Sequence, residues 1–383
     1  MKFIPRILQP IKGSFFLFGP RGTGKSVWIQ KQFPDALRID LLQPDVLQNY
    51  LVHPEYLQAL IEGSPKKTQI VIDEVQKAPS LLSVVHRLIE ERKRLQFILT
   101  GSSARKLKQA GVDLLAGRAV VHYLHPYMAC ELGDAFSLNE SLRLGLVPLV
   151  LGAGNPSEAL RTYAALYIQQ EVLAEGLVRS AGAFGRFLEA MSFSHGELVN
   201  ISNIAQDCQV PRTTVQIFIE ILEDLLLGFR VPVFTKRAKR ELVQHPKFYF
   251  FDAGVYRSLR PRGPLDQPEQ IAGHALEGLV AQHLRAWITY TSGAHRLYFW
   301  RTRSGVEVDF VLYGDSGIYA VEVKESARVR GNDLKALKEF QADYPGARAV
   351  LLYGGKDRLK IQGIPCIPCR EALMAMRPNH PLF

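Results

Sequence analysis

The chain has 383 residues, of which 47% are hydrophobic and 22% are charged. This balance is typical of a globular protein with two or three domains and excludes a disordered or low-complexity chain. No apolar stretch reaches the ~18 residues of a transmembrane helix, the start lacks the apolar stretch of a signal peptide, and four cysteines are too few for a disulfide scaffold. The sequence therefore predicts a cytoplasmic protein with no membrane partner.

Positive charge is concentrated in the outer thirds of the chain. Residues 1–130 contain 18 basic and 10 acidic residues, a net charge of +8. Residues 131–270 contain 14 and 16, a net charge of −2, and residues 271–383 contain 15 and 11, a net charge of +4. This distribution favours a polyanionic partner such as DNA, although a merely basic surface would have the same composition.

Residues 1–132 alternate short apolar runs with helical patterns. This alternation indicates an α/β domain with a parallel sheet of five strands covered by helices on both faces. The strands are predicted at 14–18, 36–41, 69–75, 96–100 and 119–124. Helices are predicted at 25–33 and 79–92.

A phosphate-binding loop follows the first predicted strand. The motif G-x-x-x-x-G-K-[ST] is satisfied in full by Gly19, Pro20, Arg21, Gly22, Thr23, Gly24, Lys25 and Ser26. Its glycines allow backbone N–H groups to face phosphate oxygens, and the start of the next helix adds positive potential. Lys25 is predicted to contact the β- and γ-phosphates of ATP, and Ser26 to ligate Mg²⁺.

Two acidic residues lie at the carboxyl end of the third predicted strand. Asp73 and Glu74 come directly after an apolar run, at the strand end where ligands bind in open α/β sheets. Asp73 is predicted to hold Mg²⁺, directly or through water. Glu74 is predicted to activate the attacking water as a general base.

Small polar residues and arginines follow the fourth predicted strand. Ser102 or Ser103 could orient the attacking water, or could only cap the following helix. Arg105 and Arg118 are candidates for an arginine at the γ-phosphate, acting in the same subunit or from a neighbour. A surface arginine is the alternative for each.

The middle segment, 133–270, carries helical periodicity over residues 134–230. It predicts helices at 160–178 and 183–191, then a helix-turn-helix with helices at 201–208 and 214–227. DNA would be contacted by the start of the second helix and by basic residues where a β-wing would lie: Arg212, Thr213, Thr214, Lys236, Arg237, Lys239 and Arg240. The alternative is a helical lid or a protein-contact module.

The last segment, 271–383, returns to a mixed α/β pattern. Glu277, Asp309, Glu322 and Lys324 reproduce the PD-(D/E)xK arrangement of metal-dependent nucleases. Residues two apart on a strand share one face, so the last two point together. The carboxylates could hold Mg²⁺ while the lysine stabilises phosphoryl charge.

The alternative for this segment is a degenerate domain in which Glu322 and Lys324 only pair with each other. Arg301 and Arg303 would suit phosphate contact in either case. Cys366 and Cys369 form a single CxxC, which indicates ordinary thiols rather than a zinc site.

These motifs resemble the AAA+ superfamily of P-loop ATPases. More narrowly, the chain resembles a widespread prokaryotic family in which an AAA domain precedes a winged helix and a restriction-endonuclease-like domain. The resemblance covers almost the whole chain and rests on residues 19–26, 70–74, 99–103, 116–118, 249–254, 298–301, 306–310 and 322–324. It implies an AAA+ fold, ATP binding and a homo-oligomer, such as a hexameric ring.

The predicted organisation is an ATPase domain at 1–132, a helical lid and winged helix at 133–270, and a nuclease-like α/β domain at 271–383. The predicted function is a DNA-binding ATPase that couples ATP hydrolysis to DNA translocation, unwinding or remodelling, at branched or single-stranded structures. Two alternatives stay open at this point. One is an ATP-gated, metal-dependent nuclease, and the other is a nucleotide-switched regulator that binds DNA or protein.

Overall fold

The computed structural model describes residues 4–102, 115–174, 180–264 and 266–383, which divide into two compact units. The first unit comprises residues 5–125 with 224–226. The second is made of residues 126–223 and 227–383, with Ile4. Among the described residues, no helix is both long enough and apolar enough to cross a membrane.

A parallel sheet forms the centre of the first unit. Its strands in chain order are β1 (Ser14–Phe18), β2 (Leu37–Asp40), β3 (Gln69–Asp73), β4 (Gln96–Gly101) and β5 (Ala119–Tyr123). They lie in the order β2-β3-β4-β1-β5, and all neighbours are parallel. The predicted five-stranded parallel sheet is confirmed.

The helices of the first unit are α1 (Lys25–Gln32), α2 (Pro44–Val52), α3 (Tyr56–Glu62) and α4 (Leu81–Glu91). Every residue of β1 is buried, as apolar strands of a parallel sheet are when helices cover both faces. On α4 the spacing of Leu81, Val85 and Leu88 puts the apolar side chains on one buried face. The helices α2 and α3 were not predicted.

The strand order decides which residues meet at the carboxyl edge of this sheet. β4 lies between β1 and β3, with Leu17 opposite Thr100 and Phe18 opposite Gly101. On its other side, Leu99 lies opposite Ile72 in β3. The end of β4 therefore lies between the loop after β1 and the acidic residues at the end of β3.

The second unit begins with helices. They are α5 (Ala129–Leu132), α6 (Leu138–Leu144), α7 (Pro148–Leu151), α8 (Pro156–Thr162), α9 (Ile168–Ala174), α10 (Ala181–Ser192), α11 (Ile201–Cys208) and α12 (Arg212–Asp224). A π-helical turn (Tyr163–Tyr167) joins α8 to α9. The predicted helix at 160–178 is thus helical as far as residue 174, and its remainder lies outside the described residues.

The predicted helix-turn-helix corresponds to α11 and α12. Asn200 caps α11, and its Oδ1 accepts hydrogen bonds from the backbone N–H of Ser202 at 3.1 Å and of Asn203 at 3.2 Å. An antiparallel hairpin of β6 (Gly228–Val231) and β7 (Lys247–Phe250) follows α12. The predicted basic cluster lies in the connection 232–246 between these two strands.

The rest of the second unit is mixed α/β. Its helices are α13 (Ala253–Leu259), α14 (Pro268–Tyr290), α15 (Lys335–Asp343) and α16 (Cys369–Ala375). Its strands are β8 (Arg296–Arg301), β9 (Glu307–Gly314), β10 (Gly317–Lys324), β11 (Ala347–Tyr353), β12 (Leu359–Ile361) and β13 (Ile364–Pro368). They form one sheet in the order β12-β13-β11-β10-β9-β8.

The connection 232–246 covers the β8 edge of this sheet. The backbone N–H of Phe234 donates to the carbonyl of Phe299 at 2.7 Å, and the N–H of Val243 donates to the carbonyl of Arg301 at 3.1 Å. The Phe234 ring is buried in the core between the sheet and α15. A strand edge that is paired in this way no longer presents free backbone groups.

Candidate functional site

The loop 19–26 has the backbone that a phosphate-binding loop requires. Gly22 and Gly24 have φ angles of 81° and 89°, in the left-handed region that favours glycine. A Cβ on Gly19 would lie 2.4 Å from the carbonyl oxygen of Leu124. At these three positions of the motif, a residue larger than glycine would be strained or would clash with the backbone.

Lys25, the first residue of α1, is buried with its ammonium group against this loop. Its Nζ donates to the carbonyl of Gly19 at 2.6 Å and to that of Pro20 at 3.2 Å. Thr23 is also buried, and its hydroxyl donates to the carbonyl of Pro20 at 2.8 Å. Arg21 lies at the exposed tip of the loop.

The two predicted Mg²⁺ ligands meet. Ser26 Oγ donates to Asp73 Oδ2 at 3.1 Å, and the Thr100 hydroxyl donates to the other carboxylate oxygen, Oδ1. Hydroxyl and carboxylate oxygens are the donors that Mg²⁺ prefers, and the ion usually keeps phosphate and water as its other ligands. The residues present therefore fit the ion that the sequence predicts.

Glu74 is held by two residues that the sequence analysis missed. Its backbone N–H donates to Thr100 Oγ1 at 3.2 Å, and its carboxylate Oε2 accepts from Gln76 Nε2 at 2.5 Å. The φ angle of Glu74 is 58°, an uncommon conformation for a residue other than glycine. This turn brings Gln76 back toward the carboxylate from only two residues away.

Gln76 is buried and also links the end of β4. Its Nε2 lies 3.4 Å from Ser102 Oγ, and its Oε1 would lie 2.4 Å from a Cβ placed on Gly101. Ser102, a predicted water-orienting residue, is thus connected to Glu74 through Gln76. Ser103 and Arg105 lie outside the described residues.

Arg6 connects the loop to the end of β5. Its guanidinium donates to the carbonyl of Thr23 at 2.7 Å and to that of His125 at 2.6 Å. Arg6 precedes β1 by several residues, and no motif in the sequence pointed to it. These two hydrogen bonds fix the loop backbone.

Arg118 does not lie at the loop of its own chain. It directly precedes Ala119, which pairs with Ser14 at the start of β1, whereas the loop follows the end of β1. Its guanidinium forms a 2.5 Å ion pair with Glu90 of α4. A role for Arg118 at a γ-phosphate would therefore require a neighbouring copy of the chain.

Two residues of the nuclease-like motif, Glu277 and Asp309, contact a further lysine, Lys247, that the sequence analysis missed. Its Nζ is 3.0 Å from Glu277 Oε1 and 3.8 Å from Asp309 Oδ1, and it also contacts Glu307. Lys324 Nζ donates to Glu322 Oε1 at 2.6 Å. This contact is the one expected from the alternative in which Glu322 and Lys324 only pair with each other.

Burial perturbs the carboxyl groups of this cluster. Burial, and next the neighbouring Glu277, raise the pKa of Asp309 to about 7. Burial, and next the neighbouring Asp309, raise the pKa of Glu322 to about 8. For Lys247, burial acts to lower the pKa, but the surrounding acids outweigh it and hold the pKa well above its usual value.

Residues 249–254, which contribute to the family resemblance, have structural contacts. The Tyr249 hydroxyl donates to Glu277 Oε1 at 2.5 Å. Asp252 caps α13 and also accepts from the N–H of Leu146 at 2.7 Å, and burial raises the pKa of this carboxyl to about 6. A Cβ on Gly254 would lie 2.3 Å from the backbone N of Gly145.

The residues predicted to contact DNA fall into two groups. Arg212 and Thr213 are exposed at the start of α12 with Thr214 half-buried beside them, and Arg237 and Lys239 are exposed in the connection 232–246.

The other predicted DNA contacts have partners within the chain. Arg240 pairs with Glu339 and with Asp343, each at 2.8 Å. The remaining contacts are those of Arg301 with Glu307 at 3.1 Å, of Arg303 with Glu241 at 2.7 Å, and of Lys236 with the Tyr313 ring, whose centroid lies 4.1 Å away.

Three family models match successive parts of the chain. An AAA domain model matches residues 12–133, and two models described as domains of unknown function, DUF8612 and DUF4143, match residues 136–266 and 272–372. Residues 12–133 are similar to AAA-domain ATPases. Nucleotide binding follows from this likeness, with Mg²⁺ as the usual companion ion.

Two mycobacterial proteins align with most of the chain. They are "Uncharacterized protein Rv2008c" of Mycobacterium tuberculosis and "Uncharacterized protein Mb2031c" of Mycobacterium bovis. Each is 24% identical over 368 residues, covering 93% of this chain and 80% of the relative.

Two solved structures show weaker likeness. One is a replication initiator DnaA bound to AMPPCP and single-stranded DNA, at 13% identity over 56% of this chain and 83% of that chain, with a TM-score of 0.28. The other is a signal-transduction ATPase with a tetratricopeptide repeat sensor from Pyrococcus horikoshii, at 14% identity over 72% and 43%, with a TM-score of 0.21. Both TM-scores are too low to carry an argument about function.

Proposed function

We propose that the chain hydrolyses ATP at the loop 19–26. The supporting observation is the continuous line of contacts from Ser26 through Asp73 and Thr100 to Glu74 at the carboxyl edge of the parallel sheet. This edge is where an open α/β sheet binds its ligand. The proposal adds a reaction to the nucleotide binding that the AAA likeness implies.

In this proposal each residue has one role. The loop N–H groups and Lys25 bind the phosphates, and Ser26 and Asp73 hold Mg²⁺, which neutralises phosphate charge. Glu74 takes a proton from the attacking water. Gln76 positions the Glu74 carboxylate, because it donates to Oε2 from a buried side chain.

We further propose that DNA is the polyanion on which this ATPase acts. The supporting observation is the exposed pair Arg212 and Thr213 at the start of α12, followed by Arg237 and Lys239 on the hairpin connection. Helix-turn-helix proteins present the start of their second helix to the major groove. Under this proposal residues 133–270 are the DNA-contacting part of the chain, between an ATPase domain at 1–132 and a nuclease-like domain at 271–383.

The test is the steady-state ATPase rate of the full chain alone and with duplex, single-stranded or forked DNA, with DNA integrity followed in the same samples. A motor that translocates on, unwinds or remodels DNA is expected to hydrolyse ATP several-fold faster on its preferred DNA. A rate that no DNA changes, together with nucleotide-dependent DNA binding, would favour the alternative of a nucleotide-switched regulator. No ATP turnover under any condition would contradict the proposal.

Assembly into a homo-oligomer is the last part of the proposal. Arg118 lies away from the loop of its own chain, so it would serve the γ-phosphate of a neighbouring copy. ATPase activity per chain should then rise with protein concentration, and mixing Arg118→Ala with Glu74→Gln should restore part of the activity that each has lost. Constant activity per chain down to a monomeric sample would contradict action from a neighbour.

A further inference from the structure

The nuclease-like motif and the structure disagree about which cation the carboxylates hold. The motif assigns Glu277 and Asp309 to a divalent metal ion. In the structure the Lys247 ammonium lies between these two carboxylates, 3.0 Å from one and 3.8 Å from the other. Mg²⁺ binds its oxygen ligands at roughly 2.0–2.1 Å, which is shorter than the distance from either carboxylate to the Lys247 ammonium group.

The backbone fixes Lys247 in this position. Lys247 is the first residue of β7, paired with Val231 of β6, and its side chain is only 2% exposed. Tyr249 lies two residues further along the strand, on the same face, and donates to the same Glu277 oxygen at 2.5 Å. One strand therefore supplies both an ammonium and a hydroxyl to Glu277.

Cations of the chain itself offset most of the negative charge of the cluster. Besides Lys247, Lys324 pairs with Glu322 at 2.6 Å and Arg301 pairs with Glu307 at 3.1 Å. Among the residues that the structure describes, no three acidic, histidine or cysteine side chains are grouped to hold one metal ion. Uncompensated negative charge, which would attract a divalent ion, is thus small here.

We propose that the ammonium group of Lys247 takes the place of the divalent cation in the nuclease-like cluster. Residues 271–383 then hold no catalytic metal and cleave no nucleic acid. The cluster instead fastens the β6–β7 hairpin, which directly follows the helix-turn-helix, to α14, β9 and β10. A buried ion cluster of this kind fixes the relative position of the elements that supply its charges.

The first test measures Mn²⁺ binding to the nucleotide-free full chain by titration and compares it with Mn²⁺ binding to the variants Asp309→Asn and Glu322→Gln. Glu322→Gln is the more sensitive of the two variants, because Glu322 Oε2 accepts no hydrogen bond among the described residues and would be the oxygen open to a metal ion. We expect equal Mn²⁺ binding by all three chains and no DNA cleavage in Mn²⁺. Binding of one Mn²⁺ per chain that either substitution removes, or cleavage that either abolishes, would overturn the proposal.

The second test removes the ammonium. Lys247→Met leaves buried carboxylates without their cation, so we expect the melting temperature in EDTA to fall by roughly 10 °C, and Mn²⁺ to recover several degrees in this variant alone. Lys239→Met, at an exposed lysine of the same hairpin connection, is the matched control and should leave the melting temperature unchanged. An unchanged melting temperature in Lys247→Met would overturn the proposal.

The double variant Lys247→Met/Glu277→Gln covers the case in which the single variant does not fold. Removal of both charges together costs less than removal of the ammonium alone, because one buried carboxylate fewer is left without the Lys247 cation. We expect the double variant to fold and to melt above Lys247→Met. If it melts below the single variant, or fails to fold when Glu277→Gln alone folds, the proposed pairing is wrong.

Discussion

The two carboxylate clusters of this chain are built from similar residues and are neutralised differently. In the first unit, Asp73 and Glu74 are half-buried and contact neutral hydroxyl and amide groups. In the second unit, Glu277 and Asp309 lie around Lys247. The Asp73 carboxylate accepts from the hydroxyl groups of Ser26 and Thr100, which leave its negative charge available to a metal ion, whereas a carboxylate that meets an ammonium group is already neutralised.

The comparison extends to the basic residues. Lys25 donates to two carbonyl oxygens of the loop, those of Gly19 and Pro20, which hold its ammonium group against the loop. In the second unit, Arg240, Arg301 and Arg303 all pair with acids of the chain. In the second unit, the presence of a charged residue in a motif is therefore weak evidence of a ligand site, because the fold already pairs that residue with an acid of the chain.

The largest expected effect is at the loop. Lys25→Ala should abolish ATP binding or turnover because it removes the phosphate's charge partner, and Glu74→Gln should keep ATP binding but slow hydrolysis by ~10²–10⁴-fold. Single-turnover hydrolysis and nucleotide titration of the full chain measure the two effects separately. Lys31→Ala, in the last turn of α1, is the control. Normal turnover in either folded variant would contradict the site.

A smaller effect on the same network is expected at Gln76. Gln76→Ala removes the donor to Glu74 Oε2, so we expect kcat to fall about tenfold with little change in ATP affinity. Gln76→Glu places a second carboxylate beside the first and should lower kcat further, with a shifted pH profile. A parallel loss of ATP affinity and kcat in both variants would indicate a general loss of structure instead of a positioning role.

DNA binding can distinguish an exposed arginine, Arg212, from one that already forms ion pairs within the chain, Arg240. Arg212→Ala should weaken binding several-fold and reduce the slope of log affinity against log salt by roughly 0.9, the value for one duplex phosphate contact. Arg240→Ala should change binding less, because Glu339 and Asp343 already neutralise Arg240. Equal slopes for both variants and the wild type would remove these residues from the DNA surface.

The smallest expected effect is a pH dependence of stability in the second cluster. The pKa of Glu322 is about 8 in the fold and near 4.3 in an unfolded chain, so between these values the folded state binds more protons. Its contribution to stability therefore decreases as the pH rises from about 4 to 8.

Glu322→Gln removes this titration, so we expect its melting temperature to exceed that of the wild type by a few degrees at about pH 8.5 and to differ little at about pH 5. Thermal unfolding across this range is the measurement, with the exposed Glu325→Gln as control. The opposite order, with the variant less stable at high pH, would show that Glu322 stabilises the fold as an anion.

The sequence by itself determined the local parts of this protein. The loop 19–26 and the acids at the end of β3 were predictable because the glycine pattern and the apolar strands depend on a few neighbouring residues. The strands of the first unit and the two helices α11 and α12 were predictable for the same reason.

The tertiary structure alone decided which charges are matched. Lys247 lies 30 residues from Glu277 in the chain, and Arg240 lies 99 residues from Glu339, so no periodicity or spacing relates them. Gln76 is close to Glu74 in sequence, but their contact depends on a left-handed turn that a glutamate rarely adopts. Pairing of charges is a property of packed elements, and it decides whether a motif remains a ligand site.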